Sequence, residues 1–175
     1  MPNRVSSCCA SLLLALMLSA CSAGPPGLGY EPESALIAFD QVRQTPNAFK
    51  GFPVRWSGQI VQTRVLATGT EIEVVELALR GDGVPAQQEQ SQGRFIIQVE
   101  GLLDPQLYAQ GRTITALGTY QGMRAGKIGE QAYSFAVLKA DRHRLWPKVR
   151  DVEVRYVRDP FADFDLMIPP RQFRP

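Results

Sequence analysis

The sequence predicts a mainly β domain, a small five-stranded Greek-key barrel with one short helix, and three observations predict it. Between residues 52 and 140 the apolar residues recur mostly with a period of two, the period of a strand. Polar, turn-forming segments divide those runs into five. Their order is three strands, a short helical segment and two more strands. Length and charge agree with one modest domain: 175 residues, 45% hydrophobic, allow one core of ordinary size and hardly two. The 19 basic and 17 acidic residues leave a formal charge of +2, too balanced for a chain built to neutralise a phosphate backbone.

The chain opens on an address. Arg4 precedes an apolar run, Ala10 to Leu18, of signal-peptide length and too short to span a bilayer, which takes roughly 20 apolar residues. The run ends in Leu18-Ser19-Ala20-Cys21, the pattern of a bacterial lipobox, in which the cysteine thiol receives a diacylglycerol. Residues 1–20 are therefore read as a lipoprotein signal and Cys21 as the acylated N-terminus. Two or three acyl chains, at about 0.8 kcal/mol per buried CH₂, hold such a protein on a membrane almost permanently. Ser22 stands where aspartate would signal inner-membrane retention, so sorting to the outer membrane is expected. Residues 21–33, rich in glycine and proline, read as a flexible tether. Residues 34–146 then form the barrel and 147–175 a C-terminal extension.

Ser34 is read as the cap of a short helix carrying Leu36, Phe39 and Val42 and ending before Pro46, with a strand over Ala35 to Phe39 as the alternative. Val54, Trp56, Gly58 and Ile60 alternate with polar residues and give the first strand. In the second, Glu71 to Leu79, the apolar phase slips between Val74 and Val75, which predicts a bulge there. Arg80 to Gln92 reads as a long loop and Phe95 to Val99 as the third strand. Asp104, Pro105 and Gly111 carry the cap, first-turn and exit signals of a small helix over Pro105 to Gln110, and capping accounts for Asp104 better than catalysis does. Arg112 to Tyr120 is the fourth strand, Gln121 to Gly129 a glycine-rich loop, and Tyr133 to Ala140 the fifth strand, with Phe135 and Val137 inward. Gly58 and Gly118 lie inside strands, as the sharp coiling of a small barrel requires. This is the order of the oligonucleotide/oligosaccharide-binding (OB) barrel, with an open α+β sheet as the alternative. Residues Val152 to Tyr156 alternate as a further strand or arm would. The end of the chain, with Phe161, Phe164, Met167, Ile168 and Phe173, is too apolar for a solvating tail and is expected to dock on the barrel, a partner or the membrane surface.

Several short stretches together resemble the Slp family of Gram-negative outer-membrane lipoproteins, named for starvation induction. They are Thr45 to Gly51 with Val54 to Ile60, Gly93-Arg94-Phe95, Gly101 to Pro105 with Tyr108, Leu117 to Gly122, Ile128-Gly129, Tyr133 and Leu145-Trp146. The resemblance runs over most of Cys21 to Trp146 and is weakest after it. It implies a lipid-anchored protein facing the periplasm, with no established biochemical activity and no catalytic residues to carry over.

Little chemistry is assembled in the sequence. All three cysteines, Cys8, Cys9 and Cys21, lie within the first 21 residues and His143 is the only histidine, so the rest of the chain cannot form a His/Cys zinc cluster or an internal disulfide. No metal and no cofactor is expected. Ser57 lacks the G-x-S-x-G setting of a hydrolase nucleophile, and no phosphate-binding or dinucleotide glycine motif is present. His143 between Arg142 and Arg144 reads as a surface histidine whose charging the two cations disfavour. Trp56, Tyr108, Tyr120, Tyr133 and Trp146 are expected mainly as core or end plugs. If exposed beside Arg124 and Lys127, Trp56, Tyr120 and Tyr133 would form a binding face for a glycan, a peptide, an envelope protein or anionic lipid. Nucleic acid is disfavoured by compartment and charge. The function expected is a non-catalytic structural or binding component of the envelope, with a hydrolase of envelope glycan or peptide as the alternative.

Overall fold

A computed structural model describes residues 27–80, 83–86 and 90–147 of the chain. Cys21, the signal segment and the C-terminal extension lie outside the described residues. Five strands, β1 (Pro53–Leu66), β2 (Gly69–Leu77), β3 (Arg94–Val99), β4 (Thr113–Ile128) and β5 (Gln131–Leu145), close into a barrel in the order β1-β2-β3-β5-β4. All pairs are antiparallel except β3–β5, which is parallel. The expected OB topology is therefore present.

Closure removes sheet edges but demands coiling, and the ladder shows where the coiling is taken up. Ile60 pairs with Val74 and Gln62 with Glu73, leaving Val61 as an extra residue in β1. Further register shifts leave Asp141 extra in β5 and Gln121 extra in β4. Gly122, at φ +114°, takes the backbone conformation that the last of these needs. Gly58 and Gly118 sit where strands come too close for a side chain: a Cβ on Gly58 would lie 2.1 Å from the Val75 carbonyl oxygen, and one on Gly118 2.0 Å from that of Lys139.

The core is a set of inward side chains, Val54, Trp56 and Ile60 of β1, Ile72 and Val74 of β2, Phe95 and Ile97 of β3, Ile114, Ala116 and Tyr120 of β4, and Ala136 and Leu138 of β5. A six-residue helix, α1 (Phe39–Gln44), drops Phe39 and Val42 into it. Phe39 packs edge-on against Trp56 at 5.1 Å and lies 5.6 Å from Phe95. Burying two such side chains contributes roughly 1.5–3 kcal/mol each. The polar end of Trp56 is satisfied because its Nε1 donates to the Ile37 carbonyl at 3.1 Å.

Several expectations need correction. The N-terminal helix starts at Phe39, not at Ser34: Ser34 lies in a 3₁₀ turn, Glu33–Ala35, and the start of α1 is stabilised from within, where Gln41 Oε1 accepts the Ala38 N–H. The bulge inferred at Val74–Val75 belongs to the partner strand. Alternation in β2 is unbroken because Glu76, not Val75, points inward, and Glu76 is 6% exposed. Pro105 to Gln110 makes successive hydrogen-bonded turns rather than a helix. Asp104 caps it as expected, its Oδ1 accepting the Gln106 N–H at 2.8 Å, but the next segment is drawn off to β1, where the Gly111 N–H reaches the Ile60 carbonyl. Residues 121–128 are strand, not loop, and with β5 form a long hairpin turning at Gly129. On β5 the core residues are Ala136 and Leu138, while Phe135 and Val137 are buried on the outer side. The tether is shorter than its composition implies. Leu28 is buried, Arg142 donates to the carbonyls of Gly27 and Gly29, and Arg55 pairs with Glu33. From Cys21 to Gly27 the chain can then span at most about 20 Å at roughly 3.3 Å per residue.

Candidate functional site

Two long hairpins flank the outer face of the β1-β2-β3-β5 sheet. One joins β1 to β2 and turns at residues 67–68, and the other joins β4 to β5 and turns at residues 129–130. Directly paired residues share a face of the sheet. The ladder therefore lays two rows across it, Gln62–Glu73–Ile96–Val137 and Arg64–Glu71–Gln98–Lys139. Their strand neighbours Ile72, Ile97 and Leu138 point into the core, so both rows lie on the outside.

Arg124, on the β4 arm, crosses this face to the other hairpin. Its Nη1 and Nη2 donate to Glu71 Oε1 and Oε2 at 2.6 and 2.9 Å. Gln98 Nε2 adds a third donor to the same carboxylate at 3.0 Å. These hydrogen bonds, Arg124 first, hold the Glu71 carboxyl below the ordinary carboxylate range, with the charge of Arg64 helping and burial opposing. The Arg124 guanidinium is held above its usual value by the same pair. Bidentate geometry makes this the strongest form of surface ion pair. One step along, Arg94 donates to Glu73 at 2.8 Å.

Beside this clamp lies a cleft of about 380 Å³, with Arg64, Glu71, Arg124 and Lys127 on its walls and Ile96 and Phe135 among its lining. Arg64 and Lys127 are exposed, and among the described residues neither donates a hydrogen bond or forms an ion pair at contact distance. The cleft thus offers two open cations and one cation already matched to a carboxylate, over a floor in which Ile96 and Phe135 are almost fully buried. It can hold an extended chain that carries carboxylates or other anionic groups.

The five residues expected to form one binding face separate. Trp56 and Tyr120 are core residues, 3% and 0% exposed, because both fall on inward positions of their strands. Tyr133 is a brace: its hydroxyl accepts from Arg43 Nη1 at 3.0 Å and from the Arg94 N–H at 2.8 Å, and its ring packs on Phe135 at 4.8 Å. Arg124 and Lys127 do reach the cleft together. Arg64, Glu71, Glu73 and Phe135 were missed, although alternating Glu71 and Glu73 opposite Gln62 and Arg64 is the cross-strand pattern that could have found them. His143 is corrected too. It is half-buried with its Nε2 2.9 Å from the Tyr108 hydroxyl, and burial, not the flanking arginines, lowers its pKa. Trp146 donates from Nε1 to Thr115 Oγ1 and carries Arg144 on its ring.

A second cavity, about 220 Å³, lies between α1 and β2 and contains Glu76 and Asp40. Burial raises the pKa of Glu76, the Gln92 N–H that it accepts at 3.0 Å lowers it, and Asp40 adds a small upward push.

Comparisons with known proteins identify relatives of this chain. The family model described as Outer membrane lipoprotein Slp family matches residues 18–174. The uncharacterized lipoprotein YeaY of Escherichia coli is 30% identical over 141 residues, 79% of this chain and 71% of that protein. The outer membrane protein Slp of the same organism is 29% identical over 136 residues, covering 77% and 72%. Among solved structures, a small single-stranded DNA-binding protein from Streptomyces coelicolor superposes at a TM-score of 0.37 and 15% identity, over 55% of this chain and 94% of that one.

Proposed function

The chain belongs to the Slp family of outer membrane lipoproteins, and from that premise we propose that it is a non-catalytic structural or binding component of the envelope, anchored by acyl groups on Cys21 and facing the periplasm. The observation that carries the reading is the cleft spanned by the Arg124–Glu71 clamp, with Arg64 and Lys127 open on its walls. It is a recognition surface made of charge and shape, with both of its carboxylates, Glu71 and Glu73, engaged by arginines. The partner is an envelope protein, a glycan or an anionic lipid, and the starvation link of the family name makes stress the natural condition for its use. Nucleic acid is no part of the reading. The short docked tether keeps the barrel close to the membrane that anchors it, which limits partners to those at or near that surface.

Capture from intact envelopes tests this. Cross-linked lipidated protein should recover a partner that the Cys21→Ala form and an Arg64→Ala/Lys127→Ala form both lose. Hydrolysis of an envelope glycan or peptide by the purified protein, abolished by Glu76→Gln alone, would overturn the non-catalytic reading.

A further inference from the structure

We propose that the cleft between the two hairpin arms is the docking site of this chain's own C-terminal segment, residues 159–166. The two sides are complementary in charge. The segment reads Asp159-Pro160-Phe161-Ala162-Asp163-Phe164-Asp165-Leu166, three carboxylates interleaved with two aromatic rings. The cleft presents Arg64 and Lys127, which have no partner at contact distance among the described residues. Its 380 Å³ equals roughly a dozen waters at about 30 Å³ each, room for an aromatic ring with a carboxylate on either side.

The chain is long enough. The described residues end at Pro147, and Phe135 of the cleft lies 147 − 135 = 12 residues before it. Asp159 lies 159 − 147 = 12 residues after it. A segment doubling back beside β5 therefore covers the strand's own length, about 40 Å when fully extended, by the time it reaches Asp159. The span matched by the family model supplies a second reason. It continues to residue 174, so the segment lies within the sequence that the family shares.

Docking has a functional consequence. An external anionic partner of the cleft must displace residues 159–166, which makes the segment a built-in competitor. The inference does not depend on that partner. The experiment below reads the segment alone, so its failure would leave the envelope reading standing.

The test uses the full-length protein and limited chymotrypsin digestion, followed by mass mapping of cuts at Phe161 and Phe164. Cleavage that requires undocking tracks the population of the open form. The wild type should be cut about tenfold more slowly than an Arg64→Glu/Lys127→Glu variant, and the protection should fade in 1 M salt, where screening acts within about 3 Å. Both altered residues are exposed and lie outside the core. Adding Asp163→Lys/Asp165→Lys to the charge-reversed protein should restore the protection. Carbodiimide coupling of the wild type should join Lys127 to Asp159, Asp163 or Asp165 within one molecule. Equal cleavage rates in the wild type and the reversed variant, or couplings formed only between separate molecules in a mixed-isotope sample, would overturn the proposal.

Discussion

Replacing Gly118 by alanine adds one methyl group at the tightest point of the barrel. Its Cβ would lie 2.0 Å from the Lys139 carbonyl oxygen and 2.8 Å from Ala140 Cα, so β4 and β5 must part by about 3.4 − 2.0 = 1.4 Å to reach ordinary contact. Neither neighbour is a side-chain end that could swing away. The obstruction is backbone, held beside the register shift at Leu117/Gly118. Overpacking of this kind costs roughly 1–3 kcal/mol. Separation over that distance also breaks about two ladder hydrogen bonds, worth about 1 kcal/mol each. A loss of about 3–5 kcal/mol follows, a large share of the 5–15 kcal/mol that holds a domain of this size together. Urea unfolding followed by tryptophan fluorescence measures it, with Gly29→Ala as control, since nothing lies within 4 Å of a Cβ there. A Gly118→Ala loss under about 1 kcal/mol, no larger than an average point mutation, would refute the close approach of these strands.

Three further outcomes are expected. The Tyr120 hydroxyl is buried with no hydrogen-bond partner among the described residues, so Tyr120→Phe should raise stability by about 1 kcal/mol in the same urea assay. Burial of His143 lowers its pKa, so the folded state binds its proton less tightly than the unfolded chain does. Stability should therefore fall as the pH drops below about 6.5, and that decline should be smaller in His143→Gln. The pKa of Glu76 is raised, so the folded state prefers its neutral form and stability is lost as the pH rises past 4.5 through the folded value. Glu76→Gln keeps an acceptor for the Gln92 amide, and should raise the melting temperature at pH 8 and change it little near pH 4.

The barrel was legible because period-two runs survive in all five strands and because Gly58 and Gly118 fall where only glycine fits. What misled was local and had local causes. Gly122 and Gly126 read as a loop, yet one sits at a bulge and the other lies under the Phe135 ring, which closes to 2.9 Å of its would-be Cβ. Glu76 broke the apolar rhythm of β2 because a glutamate pointing inward is invisible to a hydrophobic count. Asp104 announced a helix correctly at its first turn, but tertiary pairing of Gly111 and Arg112 with Ile60 ended it. The cleft was half legible. Arg124 and Lys127 could be picked out as cations on a glycine-rich stretch, whereas Arg64, Glu71 and Phe135 join them only through the barrel's closure.

We propose that this barrel works at the outer membrane because Cys21 is acylated. Intact-mass analysis of protein extracted from separated outer membranes tests it most directly. A chain beginning at Cys21 and carrying acyl mass there is expected, with a Cys21→Ala form absent from that fraction after a high-salt wash. A Cys21→Ala protein that remains in the same fraction through the wash, or a wild-type chain without acyl mass, would contradict it.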